Sequence, residues 1–585
     1  MRRLFAATAL AVMIAAGPAL ADDAALNALV AEFDAYALGQ DPVTAGFDGD
    51  RKAMARLPDI SVGADVLRRS AYEEFKQRLA GIDAAGLSPE ARLNHDFLAW
   101  TLDRRLEAIA LDQARWAFDS DGGFDQLMGY LAAVTPIDSE ADAEAWIQRL
   151  RATPRLYVRG TDNARRAVRS GFTQPKSVAD QVVARARAAA TAPVETDPLL
   201  KPFDRAKLPA AKLAETRAVA VKVIGEEIRP AQRDFATFLE KEYAPAARKG
   251  LGVRSVKGGD AYYRFLVRDH TTTDITPDEI HALGQSEVAR IRGEMGKVMA
   301  EAGWSGDLAG LIAMLRKDPR FYAASREDLM EKASEIAKRA DDQLPRWFQT
   351  LPRLPYGVRP VPAEIEEGYT TGRYFPGSPA QGVAGGYMVN TSHLDQRALY
   401  ELPALTVHEA APGHHIQIAL AQELEGVPAF RRNAEISAFT EGWGLYSEEL
   451  GGQMGLYRTP YERFGRLSYE MWRACRLVAD TGIHWMGWSL DKARACFTEN
   501  SALSSLNIEV ELARYVSWPG QALAYKVGEL KLLALRKRAS DRLGERFDIR
   551  RFHDAVLLAG PLPLNLLEAR IDAWIAAETA HPTKR

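Results

Sequence analysis

Cysteine is nearly absent from this sequence. The 585 residues include only two, Cys475 and Cys496. This scarcity excludes a disulfide-stapled scaffold and a cysteine-rich zinc module. The two residues could pair with each other, but both lie in segments with a helical pattern, so we expect buried thiols. Any metal would have to be held by histidine and carboxylate groups.

An excess of charge of one sign is also missing. The chain has 75 Lys and Arg residues against 78 Asp and Glu residues, for a net charge of −3. A protein that binds nucleic acid usually carries a large basic surface, so a nucleic-acid partner is not expected. The apolar fraction of 47% is ordinary for a folded globular protein.

Long hydrophobic runs are scarce, except near the N-terminus. Two arginines precede an apolar run over residues 4–16, and Ala19-Leu20-Ala21 places small residues before Asp22. This pattern is typical of a secretory signal over residues 1–21, and the run is shorter than the ~20 residues that span a bilayer. We expect a secreted protein, periplasmic if bacterial, without an integral membrane segment after cleavage. No cysteine lies near the cleavage site, so a lipid anchor is not expected.

Helix signals dominate the rest of the chain. Thr276 precedes Pro277 and is followed by Glu279 at the capping-box position, and weaker caps stand at Ser88 and Ser325. Helical spacing of apolar residues marks four segments, namely 159–192, 211–249, 281–300 and 325–345. The sequence therefore predicts a mainly α fold. We divide it into an N-terminal helical lobe over 22–260 and a C-terminal catalytic region over 261–585, within one integrated body.

Residues 351–390 differ from the helical segments because prolines and glycines recur throughout them. Tyr387 to Asn390 follow two glycines and are predicted as a short strand, about twenty residues before the strongest chemical motif. The strand around Gly385–Asn390 could offer an edge along which an extended peptide substrate lies. A scaffold strand is the alternative.

The strongest motif runs from His408 through Glu409 and Pro412 to His414 and His415. It departs from H-E-x-x-H, in which two histidines one helical turn apart bind zinc. On an unbroken helix His408 and His414 would lie ~9 Å apart along the axis, too far for one ion. Pro412 and the glycine after it should break the helix and bring a later histidine back. We choose His414, with His415 as the alternative.

A third ligand is expected from the segment that follows. Glu441 lies 27 residues after His414, and a second helix could carry it to the metal. Glu435 and Glu448 are the alternatives. Two histidines and a glutamate with an open fourth position form a standard catalytic zinc site. We therefore predict one Zn²⁺ ion, for which Mn²⁺ or Co²⁺ could substitute.

The blocks HEAAPGHHIQ and FTEGWGLYSEEL resemble the signature of the DUF885 family of bacterial proteins. That family is similar to gluzincin metallopeptidases, among them the thimet-oligopeptidase and angiotensin-converting-enzyme groups. The resemblance implies a large two-lobed helical body with a deep cleft and a small β element near the site. It also implies His408, His414 and Glu441 as ligands and Glu409 as catalytic base.

The expected activity is hydrolysis of peptide amide bonds, of carboxypeptidase or oligopeptidase type. His484 and Tyr515 are candidate donors to the charge that develops on the carbonyl oxygen, and each could instead be structural. Candidate substrate-binding residues are Arg476, Arg514, Lys526 and Asn390; for the cations an internal ion pair is the alternative. Two other functions remain open: a zinc hydrolase of a non-peptide or modified-peptide amide, and a non-catalytic binding protein. The intact Glu409 argues against the last.

Overall fold

The computed structural model describes residues 18–47, 49–120, 122–363, 366–379 and 382–580. Helices make up most of this part of the chain, together with one small sheet. The predicted fold class, mainly α with a small β element, is confirmed. Residues 1–17 of the predicted signal sequence lie outside the described residues. No helix in the described ranges is long and apolar enough to cross a membrane.

The helices before the sheet are α1 (Pro18–Gln40), α2 (Pro42–Phe47), α3 (Val62–Ala80), α4 (Pro89–Ala110), α5 (Phe124–Val134), α6 (Glu140–Ser170), α7 (Lys176–Thr191), α8 (Lys201–Asp204), α9 (Ala210–Val223), α10 (Arg229–Phe238), α11 (Gly259–Thr271), α12 (Pro277–Glu301), α13 (Leu308–Lys317) and α14 (Arg326–Trp347). The strands are β1 (Tyr356–Pro360), β2 (Gly372–Phe375) and β3 (Gly385–Val389). The helices after the sheet are α15 (Leu402–Glu409), α16 (His414–Gln422), α17 (Ala429–Arg432), α18 (Ser437–Gln453), α19 (Pro460–His484), α20 (Leu490–Asn500), α21 (Ser505–Ser517), α22 (Ala524–Leu543), α23 (Ile549–Leu557) and α24 (Leu564–Ala580).

The helix boundaries follow the capping signals closely. Thr276 and Glu279 form the complete capping box at the start of α12, and the Ser325 side chain caps α14. Helix α4 begins at Pro89 as expected, but the Ser88 side chain makes no capping hydrogen bond. The stretch 159–192 is not one helix, because Gly171 ends α6 with a φ of 70°. Glycine adopts this left-handed conformation without steric cost.

The sheet has the order β1-β3-β2, with β3 parallel to β1 and antiparallel to β2. The segment around Gly385–Asn390 is therefore the central strand and not an edge. Both of its hydrogen-bonding edges are paired with neighbouring strands, so the prediction that a peptide could pair with it is wrong. The edge strand that faces the His408–His415 motif is β2, whose Tyr374 N–H donates a hydrogen bond to Glu409.

The apolar core crosses the proposed lobe boundary near residue 260. Phe118 and Tyr243 from the N-terminal part belong to the same buried cluster as Trp472 and Tyr515 from the C-terminal part. Helix α12 also packs along α19 over much of its length. The helices that carry the candidate site are thus supported from both parts of the chain.

The two cysteines form a disulfide bond between α19 and α20, contrary to our expectation of buried thiols. Their Cα atoms lie 5.7 Å apart. The helical pattern was correct for both residues, but α19 and α20 pack against each other and bring the two side chains face to face. A pairing between two helices depends on their packing, which spacing in the sequence does not determine.

Candidate metal centre

The chain breaks between α15 and α16, as the Pro-Gly pair predicted. Helix α15 ends at Glu409, and α16 begins at His414. A Cβ atom on Gly413 would lie 1.9 Å from the carbonyl oxygen of His408, so only glycine fits where the chain folds back. The Trp443 indole donates a hydrogen bond of 2.9 Å to the Pro412 carbonyl and anchors the break to α18.

This break brings His408 and His414 together. Their ring centroids lie 4.7 Å apart. Glu441 on α18 completes the group, with its Oε2 atom 3.5 Å from Nε2 of His408 and 3.4 Å from Nε2 of His414. One ligand atom from each of the three residues lies within 4.8 Å of the others. The structure therefore brings together the three residues chosen as metal ligands.

The electrostatics of this cluster favour a bound cation. Burial would raise the pKa of Glu441, but His414 and His408 hold it well below its usual value, so the carboxylate is ionised. Burial would likewise lower the pKa of His408, but hydrogen bonds to Glu441 and Glu448 raise it to about 10. The carboxylates thus favour a positive charge at His408, which a metal ion would supply in place of the proton. Two imidazole nitrogens and a carboxylate oxygen are a donor set that suits Zn²⁺, and it fits here.

Glu448, an alternative ligand, has a different place. Its Oε1 atom lies 2.8 Å from Nδ1 of His408 and 3.1 Å from the Arg473 guanidinium. Its side chain is 1% exposed, whereas that of Glu441 is 22% exposed. Glu448 orients the His408 ring from behind, as carboxylates behind metal-bound histidines do. The sequence feature that could have revealed this role is the seven-residue spacing between Glu441 and Glu448, which places both side chains on one face of α18.

Two glycines let α18 approach the site closely. A Cβ atom on Gly444 would lie 2.6 Å from Cε1 of His408, so the ring rests directly against the helix backbone. A Cβ atom on Gly442 would lie 2.6 Å from the backbone of Gly528 on α22. The helix that carries Glu441 is thus fixed between the His408 ring and α22.

The other alternative ligands do not reach this cluster. The His415 ring lies against Tyr356 with 4.6 Å between ring centroids, and its Nδ1 is 3.0 Å from the Tyr374 hydroxyl. Burial lowers the pKa of His415 to about 4, so the ring is neutral. Glu435 is exposed to solvent before α18 begins.

The candidate base Glu409 is buried beside the ligands. Its Oε2 atom accepts a hydrogen bond of 2.7 Å from the Tyr374 N–H, which fixes the carboxylate against the edge of β2. Burial would lower the pKa of the neighbouring Arg373, but the side chains of Tyr369, Tyr525 and Glu409 raise it. Arg373 therefore interacts electrostatically with both Glu409 and Tyr525.

Three of the candidate residues have their polar groups engaged by hydrogen bonds or ion pairs within the protein. His484 accepts from the Val253 N–H at Nδ1, and its Nε2 lies 2.8 Å from the Tyr515 carbonyl, so neither nitrogen is left for a substrate. The Lys526 ammonium contacts three carboxylates, and the Asn390 amide donates to three backbone carbonyls. These three residues have structural roles.

Tyr515, Arg476 and Arg514 form a second polar cluster around Glu511. The Tyr515 hydroxyl donates to Glu511 at 2.7 Å and accepts from Trp472 and Arg476. Since the Tyr515 hydroxyl already donates its hydrogen bond to Glu511, it has no second hydrogen to donate to a reacting carbonyl oxygen. Arg476 contacts Glu511 at 2.8 Å and Arg514 contacts it at 3.5 Å.

The chain belongs to the DUF885 family, described as bacterial proteins of unknown function, whose model matches residues 42–571. Its fold is similar to that of a "putative lipoprotein" from Colwellia psychrerythraea, with 26% identity and a TM-score of 0.88 over 95% of this chain and 99% of that chain. It is also similar to a "putative lipoprotein of unknown function" from Shewanella oneidensis, with 17% identity and a TM-score of 0.70 over 93% and 98% of the two chains. None of the curated proteins matches this sequence.

Proposed function

We propose that this protein is a zinc-dependent hydrolase that cleaves amide bonds of peptides outside the cytoplasm. His408, His414 and Glu441 would hold one Zn²⁺ ion. The observation that carries the proposal is the convergence of these three side chains directly beside the buried Glu409. A site that only binds metal has no use for a carboxylate in that position.

The protein's own residues supply the proton transfer. Zinc, when bound, would polarise the scissile carbonyl and lower the pKa of the attacking water. Glu409 would take the proton from that water and deliver it to the leaving nitrogen. Its Oε2 atom is occupied by the Tyr374 N–H, which leaves Oε1 for the proton. Glu448 and Arg473 would hold His408 in the orientation that presents Nε2 to the metal.

A location outside the cytoplasm is supported by three observations. The N-terminal sequence has the pattern of a secretory signal. Cys475 and Cys496 form a disulfide bond, and such bonds persist mainly in oxidising compartments. The similar structure from Colwellia psychrerythraea is described as a "putative lipoprotein", although this chain has no cysteine near its N-terminus. We propose the periplasm.

Metal analysis of the purified mature protein tests the site. We expect one zinc per chain, lost in His408→Ala and in Glu441→Gln. Glu435→Gln is the matched control, since it changes the same residue type in an exposed position nearby. Wild-type protein without stoichiometric metal, or Glu441→Gln protein that retains it, would refute the site.

Digestion of a peptide library, read by mass spectrometry, tests the activity. Glu409→Gln should keep zinc and lose about 100-fold or more in cleavage rate. Cleavage by this variant at the wild-type rate would refute the role of the base. Zinc binding without cleavage of any peptide would favour the alternative function, a binding protein.

A further inference from the structure

The polar cluster around Glu511 has an unsatisfied donor. Arg476 is 2% exposed and lies between the rings of Trp472 and Tyr525, with its guanidinium carbon 4.5 Å and 4.1 Å from their centroids. Its Nε donates to Tyr515 and its Nη2 to Glu511. Within the described residues, Nη1 has no hydrogen-bond partner. A buried cationic donor without a partner costs free energy unless a ligand supplies an acceptor.

The charges in this cluster are also unbalanced. Arg476 and Arg514 share the single carboxylate of Glu511. The remaining partners of Arg514 are the neutral side chains of Gln521 and Tyr525. Burial would raise the pKa of Glu511, but the two arginines lower it to about 2, so it is ionised and the cluster carries one positive charge. An anionic ligand would complete it.

A ligand could reach the cluster from the side of Arg514. The Arg514 side chain is 18% exposed, and it lies over the ring of Trp518, which is 40% exposed. The guanidinium fork of arginine matches a carboxylate in shape and in donor spacing. The ligand chemistry favoured by this geometry is therefore a carboxylate.

The cluster is linked to the metal centre along two routes. Arg473 lies one helical turn before Arg476 on α19 and contacts Glu448, which is hydrogen-bonded to His408. On the other side, Tyr525 contacts Arg476 and interacts with Arg373, which in turn interacts with the base Glu409.

We propose that Arg476 and Arg514 bind the C-terminal carboxylate of a peptide substrate, which makes this protein an exopeptidase acting from the carboxyl end. This inference rests on the proposed function, whose metal ligands are separate residues. It names the end of the substrate that the protein recognises. Arg476 and Arg514 act here in binding, and Glu511 keeps the two guanidinium groups in place.

Binding of acetyl-trialanine and of acetyl-trialanine amide, measured by calorimetry, tests the inference. The two peptides differ only in the terminal carboxylate, and the zinc-loaded Glu409→Gln variant prevents cleavage. We expect the carboxylate form to bind about ten- to a hundredfold more tightly. In Arg514→Gln this difference should disappear, and Arg514→Lys should keep part of it. Arg494→Gln is the control, because Arg494 pairs with Asp491 and Glu509 and with none of the residues of the cluster.

Equal or undetectable binding of the two peptides would overturn the inference, as would a preference that persists in Arg514→Gln. Zinc content and thermal unfolding of each variant show whether the fold and metal centre are retained. A carboxylate preference without cleavage of any peptide would leave the binding site standing and refute the hydrolytic function. Cleavage of amidated peptides at the rate of free peptides would do the reverse.

Discussion

The close contact between Gly444 and the His408 ring leads to a sharp prediction for Gly444→Ala. The added Cβ would lie 2.6 Å from Cε1, 2.8 Å from Nε2 and 3.0 Å from Nδ1 of that ring. Non-bonded carbon atoms prefer about 3.5–4.0 Å, so the ring has to move by about 1 Å. It cannot simply rotate away, because Glu448 holds Nδ1 at 2.8 Å.

A shift of about 1 Å is large for a metal ligand, because metal–ligand distances hold to about 0.2 Å. We therefore expect zinc affinity to fall by at least about 100-fold. The fold should survive. Alanine gains about 1 kcal/mol over glycine in a helix, and the overpacking costs about 1–3 kcal/mol, for a net loss of about 0–2 kcal/mol.

The assay is a zinc titration against a chromophoric chelator, with circular dichroism to confirm the helix content. Gly296→Ala is the control, since Gly296 lies within α12 and a Cβ there meets no atom within 4 Å. The control should bind zinc like the wild type and gain stability. Wild-type zinc affinity in Gly444→Ala would show that the His408 ring is not held against α18 as described.

Three further predictions concern the surroundings of the site. Glu448→Gln removes the carboxylate behind His408 and should lower zinc affinity about 10- to 100-fold in the same titration, while an unchanged affinity would exclude its orienting role. Replacing Cys475 and Cys496 by serine should lower the free energy of unfolding in urea by about 3 kcal/mol, and a loss below about 1 kcal/mol would contradict a stabilising bond. Burial raises the pKa of Glu401 from 4.5 to about 8, so the folded state keeps a proton that the unfolded chain releases. As the pH rises between these two values, the free energy of unfolding should therefore fall, by on the order of 4 kcal/mol at most. Glu401→Gln should remove this pH slope, and urea unfolding at pH 5 and pH 9 measures it, with an unchanged slope refuting the assignment.

The sequence was sufficient to predict features that depend on neighbouring residues. The proline and glycine after His408 predicted the break, and the break determines that His414 is the residue that returns. The capping box at Thr276 likewise predicted the start of α12. The fold class followed from helical spacing, which is also local.

Features that depend on packing between distant segments were not predictable in this way. Lys526 has one local partner, Glu529 three residues later on α22, but the carboxylates of Glu287 and Glu470 reach it only because α12 and α19 pack beside that helix. His484 has the residue type of a catalytic donor, but Val253 approaches from 231 residues away and occupies its ring. The central position of β3 depends on β1 and β2, which flank it from the same irregular segment.

The contact between Gly442 and Gly528 has a consequence for how the metal would be acquired. Since the backbones of α18 and α22 touch there, Glu441 is positioned by folding and does not depend on an ion to draw the helices together. We therefore expect the metal-free protein to be fully folded, unlike a zinc finger. A chelator should strip the ion without unfolding the chain, and added zinc should restore the loaded protein without a refolding step.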